Sequence, residues 1–421
     1  MSTPPPNEPN KVDDLIEHLF RTEYGKVIAY LTSIFGVAKL SFIEDMAQET
    51  LLEAYKRWSY HGIPEEPAAW IFKVAKNKAL NFIKREQKRD AVYDKHQERL
   101  EHDAEDQVFL EKEIEDSVLQ MVFACASLDL SPTNKTMLIL NILGGFNRKE
   151  IAHAFLMEEE AVKKRLFRAK KEIRDRDLKF VVPSDQDQQL ALNDVLSSLY
   201  LLFNEGYNSR SRDELIRHDI CLEAIRLTKL VISHFEQSTE ARALLSLMYF
   251  HTARFSSRID DRGAIILLQD QNRASWDKEL IALGQYYLGQ ASSGDLLSAY
   301  HIEAAIAGEH CRAENFNDTN WERISRLYNA LTEFKKNPII QLNLAIISSM
   351  LGDHQKAIDQ LLELEKDKAL RRYYFLYATK GELYQKLGQV ALARQNFETA
   401  KTLTESKAEL NLLEEKISQL I

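Results

Sequence analysis

The sequence predicts an all-α protein. Glycine and proline are scarce, with 14 and 9 among 421 residues, so few positions interrupt regular structure. Apolar residues recur at helical spacing, and the alternating β-branched runs typical of strands are few. Hydrophobic residues make up 45% and charged residues 28%, which excludes a disordered, collagen-like or coiled-coil rod. The length exceeds what one core supports and indicates several domains.

The net charge of −9, from 55 basic and 64 acidic residues, argues by itself against a nucleic-acid-binding protein. This total conceals local differences in sign. Trp70–Asp90 contains seven basic and two acidic residues, and Lys163–Lys179 contains nine and three. Each stretch predicts a basic helix face, so nucleic-acid binding stays open.

No segment of the sequence predicts export, membrane insertion or metal binding. Residues 1–11 are polar and proline-rich, unlike a signal peptide, and no apolar run approaches the roughly 20 residues that span a bilayer. We therefore expect a cytoplasmic protein without membrane contact. The cysteines (Cys125, Cys221 and Cys311) form no CxxC pair, which argues against disulfides or a zinc site. His301, His310 and Cys311 lack ligand spacing, so neither metal nor cofactor is predicted.

The first well-defined helix has an acidic face. Ser41 and Glu44 have capping-box spacing, and the amphipathic run that follows predicts a helix to Trp58. Its exposed face carries Asp45, Gln48, Glu49 and Glu53. In the absence of a partner, such acids form a solvated helix surface.

The next helix, which opens at Pro67, combines basic, amide and aromatic side chains. Its apolar stripe consists of Ile71, Ala75, Ala79 and Phe82. A second face carries Trp70, Asn77, Asn81, Lys84, Arg85 and Lys88. Cations neutralise phosphates, amides bond to base edges and aromatic rings stack on unpaired bases. The mixture indicates contact with single-stranded nucleic acid, although basic faces are also common on helices that bind none.

A second basic segment has the pattern of a helix-turn-helix. Residues 133–143 predict a helix that ends at a Gly-Gly pair, and Asn147 with Glu150 predicts a capped short helix. After a turn, a longer helix begins at Glu159. It carries Lys163, Lys164, Arg165 and Arg168, which lie near a groove of DNA if this helix enters it. The other interpretation is a plain helical hairpin with a solvated basic edge.

The C-terminal part contains an internal repeat. Ala345, Gly352, Ala357 and Leu361 recur 36 residues later as Gly381, Gly388, Ala393 and Phe397. Small residues at helix crossings and a turn glycine are typical of tetratricopeptide helix pairs, whose usual period is about 34 residues. Two repeats are too few to be stable alone, so we expect the helices of residues 190–335 to pack against them.

Two other groups of residues carry weaker signals. Asp260, Asp261, Asp270 and Asp277 could form an acidic cluster, but no nucleophile, phosphate loop or metal motif accompanies them. We therefore predict no catalytic residues and do not expect an enzyme. Residues 204–207 predict a turn after an apolar helix.

Both basic helices, in this order and at this separation, resemble those of an extracytoplasmic-function (ECF) sigma factor of bacterial RNA polymerase. The similarity to sigma region two is carried by SFIEDMAQETLLEAYKRW and PEEPAAWIFKVAKNKALNFIKRE. The similarity to region four is carried by LILNILGGFNRKEIAHAFLMEEEAVKKRLFRAKKEI. The segments LYLLFNEGY, IRLTKL and LLQDQNRASWDKELI resemble the long extension of the ECF subgroup that ends in tetratricopeptide-like helices.

The resemblance implies a factor that directs core polymerase to specific promoters and helps to melt them, with an extension that regulates it through a protein or a ligand. The implied segments are a disordered tail at 1–10, region two at 11–90, an acidic linker at 91–114, region four at 115–180, a helical extension at 186–335 and tetratricopeptide-like helices at 336–421.

The resemblance also implies roles for single residues, with the polymerase β′ and β subunits and promoter DNA as partners. Asp45, Gln48 and Glu49 match the helix that docks on β′ through complementary charge. The −10 element is matched by Trp58, His61, Asn77, Asn81, Lys84 and Arg85, and residues 60–64 match the loop that captures a flipped-out base. The −35 element is matched by Glu160, Lys163, Lys164, Arg165 and Arg168.

Two competing classes remain. One is an interaction scaffold that has kept a degenerate sigma half, and the other is an ordinary helix-turn-helix repressor, which would not need the acidic face at 45–49. Under the sigma-factor interpretation, the acidic remainder of the chain opposes DNA phosphates. We therefore expect the free chain to bind promoter DNA weakly.

Overall fold

The computed structural model describes residues 9–89, 107–155, 157–175, 188–207, 217–260, 265–294, 296–368, 370–404 and 406–420. Regular structure in these ranges is helical, apart from one antiparallel bridge between Ile259 and Ile265, which confirms the all-α class. Two compact units, Met1–Leu202 and Phe203–Ile421, divide the chain.

The helices are α1 (Pro9–Phe35), α2 (Leu40–His61), α3 (Pro67–Arg89), α4 (Gln107–Ala126), α5 (Pro132–Ile142), α6 (Arg148–Ala154), α7 (Glu159–Asp175), α8 (Gln188–Tyr207), α9 (His218–His234), α10 (Thr239–Thr252), α11 (Lys278–Ala291), α12 (Ala299–Arg312), α13 (Trp321–Phe334), α14 (Pro338–Met350), α15 (His354–Leu364), α16 (Tyr374–Lys386), α17 (Val390–Lys401) and α18 (Lys407–Ser418). Among the described helices, none is both long and apolar enough to cross a membrane.

The first unit opens with a bundle of α1, α2 and α3. Its buried core contains Ile28, Leu31, Ile43, Leu51, Trp58 and Ile71. The apolar stripe predicted on α3 is confirmed for Ile71, Ala75 and Ala79, which are buried. At the end of this stripe Phe82 is exposed, and its ring stacks on that of Phe42 in α2, with centroids 4.3 Å apart.

Helices α4 to α7 pack together in the first unit, which also includes α8 as far as Leu202. α4 lies against α1 and α5, and α6 and α7 pack together as the predicted helix-turn-helix pair. The predicted capping box opens α6: the Asn147 amide donates to Glu150 Oε2 at 2.8 Å, and the Glu150 amide donates to Asn147 Oδ1 at 3.0 Å. Ile151, Val162 and Leu166 are buried between these helices.

Two predictions at helix starts are wrong. α2 begins at Leu40, with Lys39 at the N-cap and no capping side chain, so Ser41 and Glu44 do not form a capping box. Their polar groups have partners elsewhere: Glu44 pairs with Lys170, and Ser41 Oγ accepts from Arg174 Nη1 at 3.3 Å. α4 starts at Gln107, so the last part of the predicted linker 91–114 is helical. Burial of the apolar face of α4 stabilises this helix.

In the second unit, helix α10 packs against α9, α11 and α12. Its Phe250 is buried, and the ring lies against the backbone of Gly284 in α11. Asp277 caps the start of α11, because its Oδ1 accepts from the amides of Glu279 and Leu280 at 2.9 and 3.0 Å. The Asp277 carboxylate therefore has a structural role as a helix cap, and this role does not support a catalytic cluster with the other aspartates.

The loop before α11 is fastened by buried side chains. Arg273, which is 4% exposed, donates from Nη1 to the His310 carbonyl at 2.9 Å and from Nη2 to Thr319 Oγ1 at 2.9 Å. Gln271 Oε1 accepts from Arg254 Nη2 at 3.1 Å. Arg273 and Gln271 both belong to the segment LLQDQNRASWDKELI, which therefore connects the end of α10 to the end of α12.

The predicted repeat forms two consecutive helix pairs, α14 with α15 and α16 with α17. Gly352 and Gly388 lie in the equivalent turns with φ of 93° and 72°, a conformation that residues with a Cβ atom avoid. Ala345, Ala357, Leu361, Gly381, Ala393 and Phe397 are buried at the crossings. The neighbouring helices α13 and α18 cover the two ends of this array.

The second unit starts later than the predicted extension. The division falls inside α8, between Leu202 and Phe203, whereas the sequence predicted a start at 186. The predicted turn at 204–207 is also wrong, because these residues form the last turn of α8. The Gly206 carbonyl accepts from the Arg217 amide at 2.8 Å, so this end of α8 pairs with the start of α9.

Candidate polymerase and nucleic-acid interface

The three residues matched to the polymerase-docking helix lie on one exposed face of α2. Asp45, Gln48 and Glu49 have i, i+3 and i+4 spacing, and all three are exposed. Leu52, one turn further, is 53% exposed and adds an apolar side chain to this face. The face therefore offers negative charge and an apolar contact, which suits a basic partner surface.

A lysine of α3 partly neutralises the lower end of this face. Lys78 Nζ lies 2.9 Å from Glu53 Oε2 and 3.9 Å from Glu49 Oε2, and it also donates to the Glu49 carbonyl at 3.1 Å. These bonds fix α3 against α2. Asp45 and Gln48, which lie closer to the start of α2, therefore form the more accessible part of the acidic face.

The assignment of Trp58 to DNA requires correction. Its side chain is 1% exposed and packs edge-on against Trp70, with ring centroids 5.3 Å apart. A ring with no accessible face cannot stack on a base, so Trp58 is a core residue in this structure. Trp70 is more accessible, and the Arg57 guanidinium lies 5.9 Å from its ring centroid.

Tyr60 begins the loop 60–64, which the resemblance matches to base capture, but the sequence did not single out its aromatic ring. It is 87% exposed at the end of α2 and lies next to His61, which is also exposed. The signal for it was its position two residues after Trp58, which places it outside the apolar stripe of α2. Tyr60 and His61 precede Gly62, where the chain leaves the helix with φ of 83°.

The structure places Asn77 and Asn81 on an exposed face of α3. Lys73, one turn before Asn77, is exposed beside them. Both amides are thus accessible to a nucleic acid. Lys84 and Arg85 lie on the same helix, but their side chains fall outside the described part of the chain.

The five residues matched to the −35 element project from α7. Glu160, Lys163, Lys164, Arg165 and Arg168 are all exposed. Lys163 Nζ lies 3.1 Å from Glu160 Oε1, and Arg165 Nη1 donates to Asn134 Oδ1 of α5 at 3.3 Å. The exposed pair contributes little energy, because solvent screens it, so Lys163 can exchange Glu160 for a phosphate at small cost.

The basic face of α7 also contains an aromatic ring. Phe167 is 63% exposed, and its spacing places it on the same stripe as Lys163, Lys170 and Arg174. Lys170 and Arg174 are less accessible, because they contact Glu44 and Ser41 of α2. The stripe is therefore exposed at its start and engaged with α2 at its end.

The second unit contains two half-buried histidines, His251 and His310, whose Nδ1 atoms are enclosed. Burial lowers the pKa of His251 to about 3, and the nearby Arg254 and Arg258 act in the same direction. Burial lowers the pKa of His310 to about 3 as well, with Arg254 and Arg273 adding to the effect. Both imidazoles are thus neutral at physiological pH. Among the described residues no group of three or more His, Cys, Asp or Glu is placed to hold a metal.

An open cleft of about 490 Å³ lies beside these residues. It is lined by Gln269, Asp270, Gln271, Asn272, Arg273, Glu314, Asn315, Phe316 and Asn317. Asp270 and Glu314 are exposed in it. Arg273 and Gln271 are committed to the hydrogen bonds that hold the loop.

Three comparisons with known proteins bear on these features. Residues 19–89 match the model of sigma-70 region 2. Residues 191–292 match a family of unknown function, DUF6596. An uncharacterized protein of Rhizobium meliloti (strain 1021) is 31% identical over 390 residues, which cover 90% of this chain and 90% of that protein.

Proposed function

The chain belongs to the family of the Rhizobium meliloti protein and carries a sigma-70 region 2, and on this basis we propose that it is an ECF-type sigma factor. Region 2 supports a sigma-factor-like role in transcription initiation. The finer proposal is that the chain directs core polymerase to its own promoters through region two and region four. It has no bond chemistry of its own, and its contribution is binding energy.

The exposed face of α2 carries the proposal. Within the sigma-70 region 2 match, Asp45, Gln48 and Glu49 are accessible together, and complementary charge speeds and orients association with a basic surface. We assign this face to the polymerase β′ subunit.

The second contact is with the melted −10 region. Asn77, Asn81 and Tyr60 offer amides and an aromatic ring around the end of α2 and the face of α3. Such groups bond to the edges of unpaired bases and stack on them. We assign Lys84 and Arg85 to phosphates of the same region. The exposed residues of α7 are assigned to the −35 element, and region four as a whole is assigned to the β subunit.

A run-off transcription assay with core polymerase tests this function. Wild-type chain should support a promoter-dependent transcript, and Asp45→Arg should abolish co-purification with core. Asp116→Arg, which reverses an exposed acid on α4, is the matched control and should co-purify normally. Intact co-purification of Asp45→Arg would remove the assigned role of this face.

A second assay separates DNA opening from polymerase binding. The double variant Asn81→Ala/Arg85→Ala should lose open-complex formation on a cognate promoter while it still binds core. Potassium permanganate footprinting of unpaired thymines reads opening directly. An unchanged footprint would show that the melting face lies elsewhere.

We further propose that the second unit regulates the first in cis. The support is its size, since residues 203–421 form a compact unit of their own, and its tetratricopeptide-like helix pairs, a type of array that presents binding surfaces for other proteins. Deletion of residues 185–421 should change the transcription profile while circular dichroism shows that α1 to α7 stay folded. An identical profile would identify the second unit as an inert appendage.

A further inference from the structure

The open cleft in the second unit has a buried cation and two exposed acids among its lining residues. Arg273, which lines it, is 4% exposed. Asp270 and Glu314 line the same cleft and are exposed. Its volume of about 490 Å³ lies in the range of about 300–1,000 Å³ that is typical of small-molecule sites. The cleft therefore combines both signs of charge in a space that a small molecule can fill.

The guanidinium of Arg273 has bonding capacity that the protein does not use. Its Nη1 donates to the carbonyls of His310 and Ala313 at 2.9 and 3.3 Å, and its Nη2 donates to Thr319 Oγ1 at 2.9 Å. Its Nε is buried and has no hydrogen-bond partner in the part of the chain that the structure describes. Within the same ranges, no carboxylate forms an ion pair with this guanidinium. A buried charge without a counter-ion is costly, and a bound carboxylate would offset this cost.

A second guanidinium increases the positive charge near the cleft. The guanidinium carbons of Arg254 and Arg273 lie 5.0 and 5.2 Å from the ring centroid of the buried Trp276. Arg254 donates to a neutral group, Gln271 Oε1, at 3.1 Å. Burial and then the charge of Arg254 lower the pKa of Arg273, whereas Asp318 acts in the opposite direction with a smaller influence. Both cations would therefore attract a bound anion.

The exposed acids favour a positive group on the same ligand. The carboxylates of Asp270 and Glu314 have no partner among the described side chains. A purely anionic ligand would be attracted by Arg273 but repelled by these two carboxylates. A ligand that carries one carboxylate and one ammonium group matches both signs. The half-buried ring of Phe316 and the exposed amide of Asn317 are available to the rest of such a molecule.

The two loops that form the cleft are held in shape by their own side chains. In the loop before α11, Asn272 Oδ1 accepts from the Ala274 amide at 3.0 Å. In the loop after α12, Asn315 Oδ1 accepts from the amides of Asn317 and Asp318 at 3.0 and 3.2 Å. A preformed site loses less conformational freedom when a ligand binds. Binding in this cleft therefore requires little ordering of the protein.

We propose that this cleft binds a free α-amino acid, whose carboxylate lies on Arg273 and whose ammonium group lies between Asp270 and Glu314. The bound molecule bridges the loop before α11 and the loop after α12. It stabilises the second unit, because a ligand that binds only the folded state raises the free energy of unfolding. The second unit thereby senses the amino acid. Only the effect of binding on transcription rests on the proposed function.

Intrinsic fluorescence of the full-length chain measures binding in the absence of polymerase. The ring centroids of Trp321 and Phe316 lie 5.3 Å apart, so a ligand in the cleft should change the tryptophan emission. Each standard amino acid is titrated to about 10 mM, and at least one should saturate the change with a Kd below about 1 mM. Its N-acetyl and amide derivatives lack the ammonium and the carboxylate charge, and each should bind at least about tenfold more weakly.

Two exposed residues provide variants that leave the packing intact. Asp270→Asn and Glu314→Gln should each raise the Kd about tenfold, since each removes a charge that pairs with the ammonium group. Both variants should bind the N-acetyl derivative as the wild type does. Glu236→Gln, which changes an exposed acid between α9 and α10, is the matched control and should keep the wild-type Kd. Arg273→Gln also removes bonds that hold the loop, so these variants and the two derivatives decide the case.

Three results would overturn the site. One is that no standard amino acid changes the fluorescence or the midpoint of urea unfolding at about 10 mM. Another is that inorganic phosphate binds and amino acids do not, which would leave an anion site only. The third is tight binding that Asp270→Asn and Glu314→Gln do not weaken, which would place the amino acid elsewhere.

Run-off transcription with core polymerase tests the effect of binding. The bound amino acid should change the transcript yield of the wild type but not that of the double variant Asp270→Asn/Glu314→Gln. A transcript that the amino acid does not change would overturn the sensing role. If the chain supports no transcript with or without the amino acid, the proposed function fails, and the fluorescence titration still decides whether the site exists.

Discussion

Acidification to pH 5 should destabilise the second unit through two histidines. Burial lowers the pKa of His251 and His310 to about 3, whereas both have the ordinary value of about 6.5 once the unit unfolds. Between these values the unfolded chain binds more protons than the folded one. The stability is therefore complete above about pH 6.5 and is lost as the pH falls towards 3.

The size of this loss follows from the pKa difference. A pH of 5 lies about 1.5 units below the ordinary pKa of histidine. Protonation of each histidine therefore stabilises the unfolded state by about 2 kcal/mol, at about 1.4 kcal/mol per unit. The folded state gains almost nothing, because His251 and His310 remain neutral at this pH. Both histidines are partly exposed to water, which weakens the effect of burial. We therefore expect acidification to pH 5 to lower the free energy of unfolding by about 3 kcal/mol for the pair rather than by the full sum of the two.

Urea unfolding at pH 7 and pH 5 measures the loss. Replacing Trp58 and Trp70 by Phe leaves Trp276 and Trp321 as the fluorescent reporters, and Trp321 lies 5.6 Å from the ring of His310. His251→Phe and His310→Phe cannot titrate, so each should remove about half of the pH-dependent difference in unfolding free energy.

The matched control is His234→Phe, which changes an exposed histidine at the end of α9. It should keep the full difference between pH 7 and pH 5. If the double variant of His251 and His310 loses as much stability on acidification as the wild type does, the two buried imidazoles are not its cause.

Three further predictions concern single features. Trp58→Ala should destabilise the first unit by about 3–5 kcal/mol because it empties a core position. Tyr60→Ala should change the stability of this unit by less than about 0.5 kcal/mol but should reduce promoter opening. Equal losses of stability for the two variants in chemical denaturation would contradict this division. Asp277→Ala should cost about 1 kcal/mol through the lost cap of α11, and the exposed Asp270→Ala should cost almost nothing; thermal unfolding compares them. The isolated full-length chain should bind promoter DNA only at low salt, and a salt-resistant nanomolar complex in a mobility-shift titration would refute the argument from net charge.

Features that depend on local chemistry could be predicted from the sequence. Asn147 and Glu150 form their capping box because both partners lie within one turn of the chain. The turns at Gly352 and Gly388 follow from the spacing of the repeat, since a positive φ favours glycine wherever a helix pair reverses.

Features that depend on distant partners could not be predicted. Ser41 and Glu44 have the same spacing as a capping box, but their partners lie on α7, more than 120 residues away. Trp58 looked available for a base, and only the position of Trp70 on the next helix shows that its ring is enclosed. In both cases the sequence indicates the kind of contact that the side chain can make, but the role of the residue depends on a neighbour that is distant in the sequence.

The start of α2 shows why charge totals mislead for this protein. Glu44 and Asp45 are adjacent acids of equal charge, but consecutive helical residues point about 100° apart. Glu44 turns towards α7 and is held by Lys170, whereas Asp45 points outwards and is exposed. One carboxylate therefore joins α2 to α7, and the next is available to a partner. A sum over the sequence counts both acids alike, so it does not distinguish a carboxylate that is paired within the chain from one that is accessible.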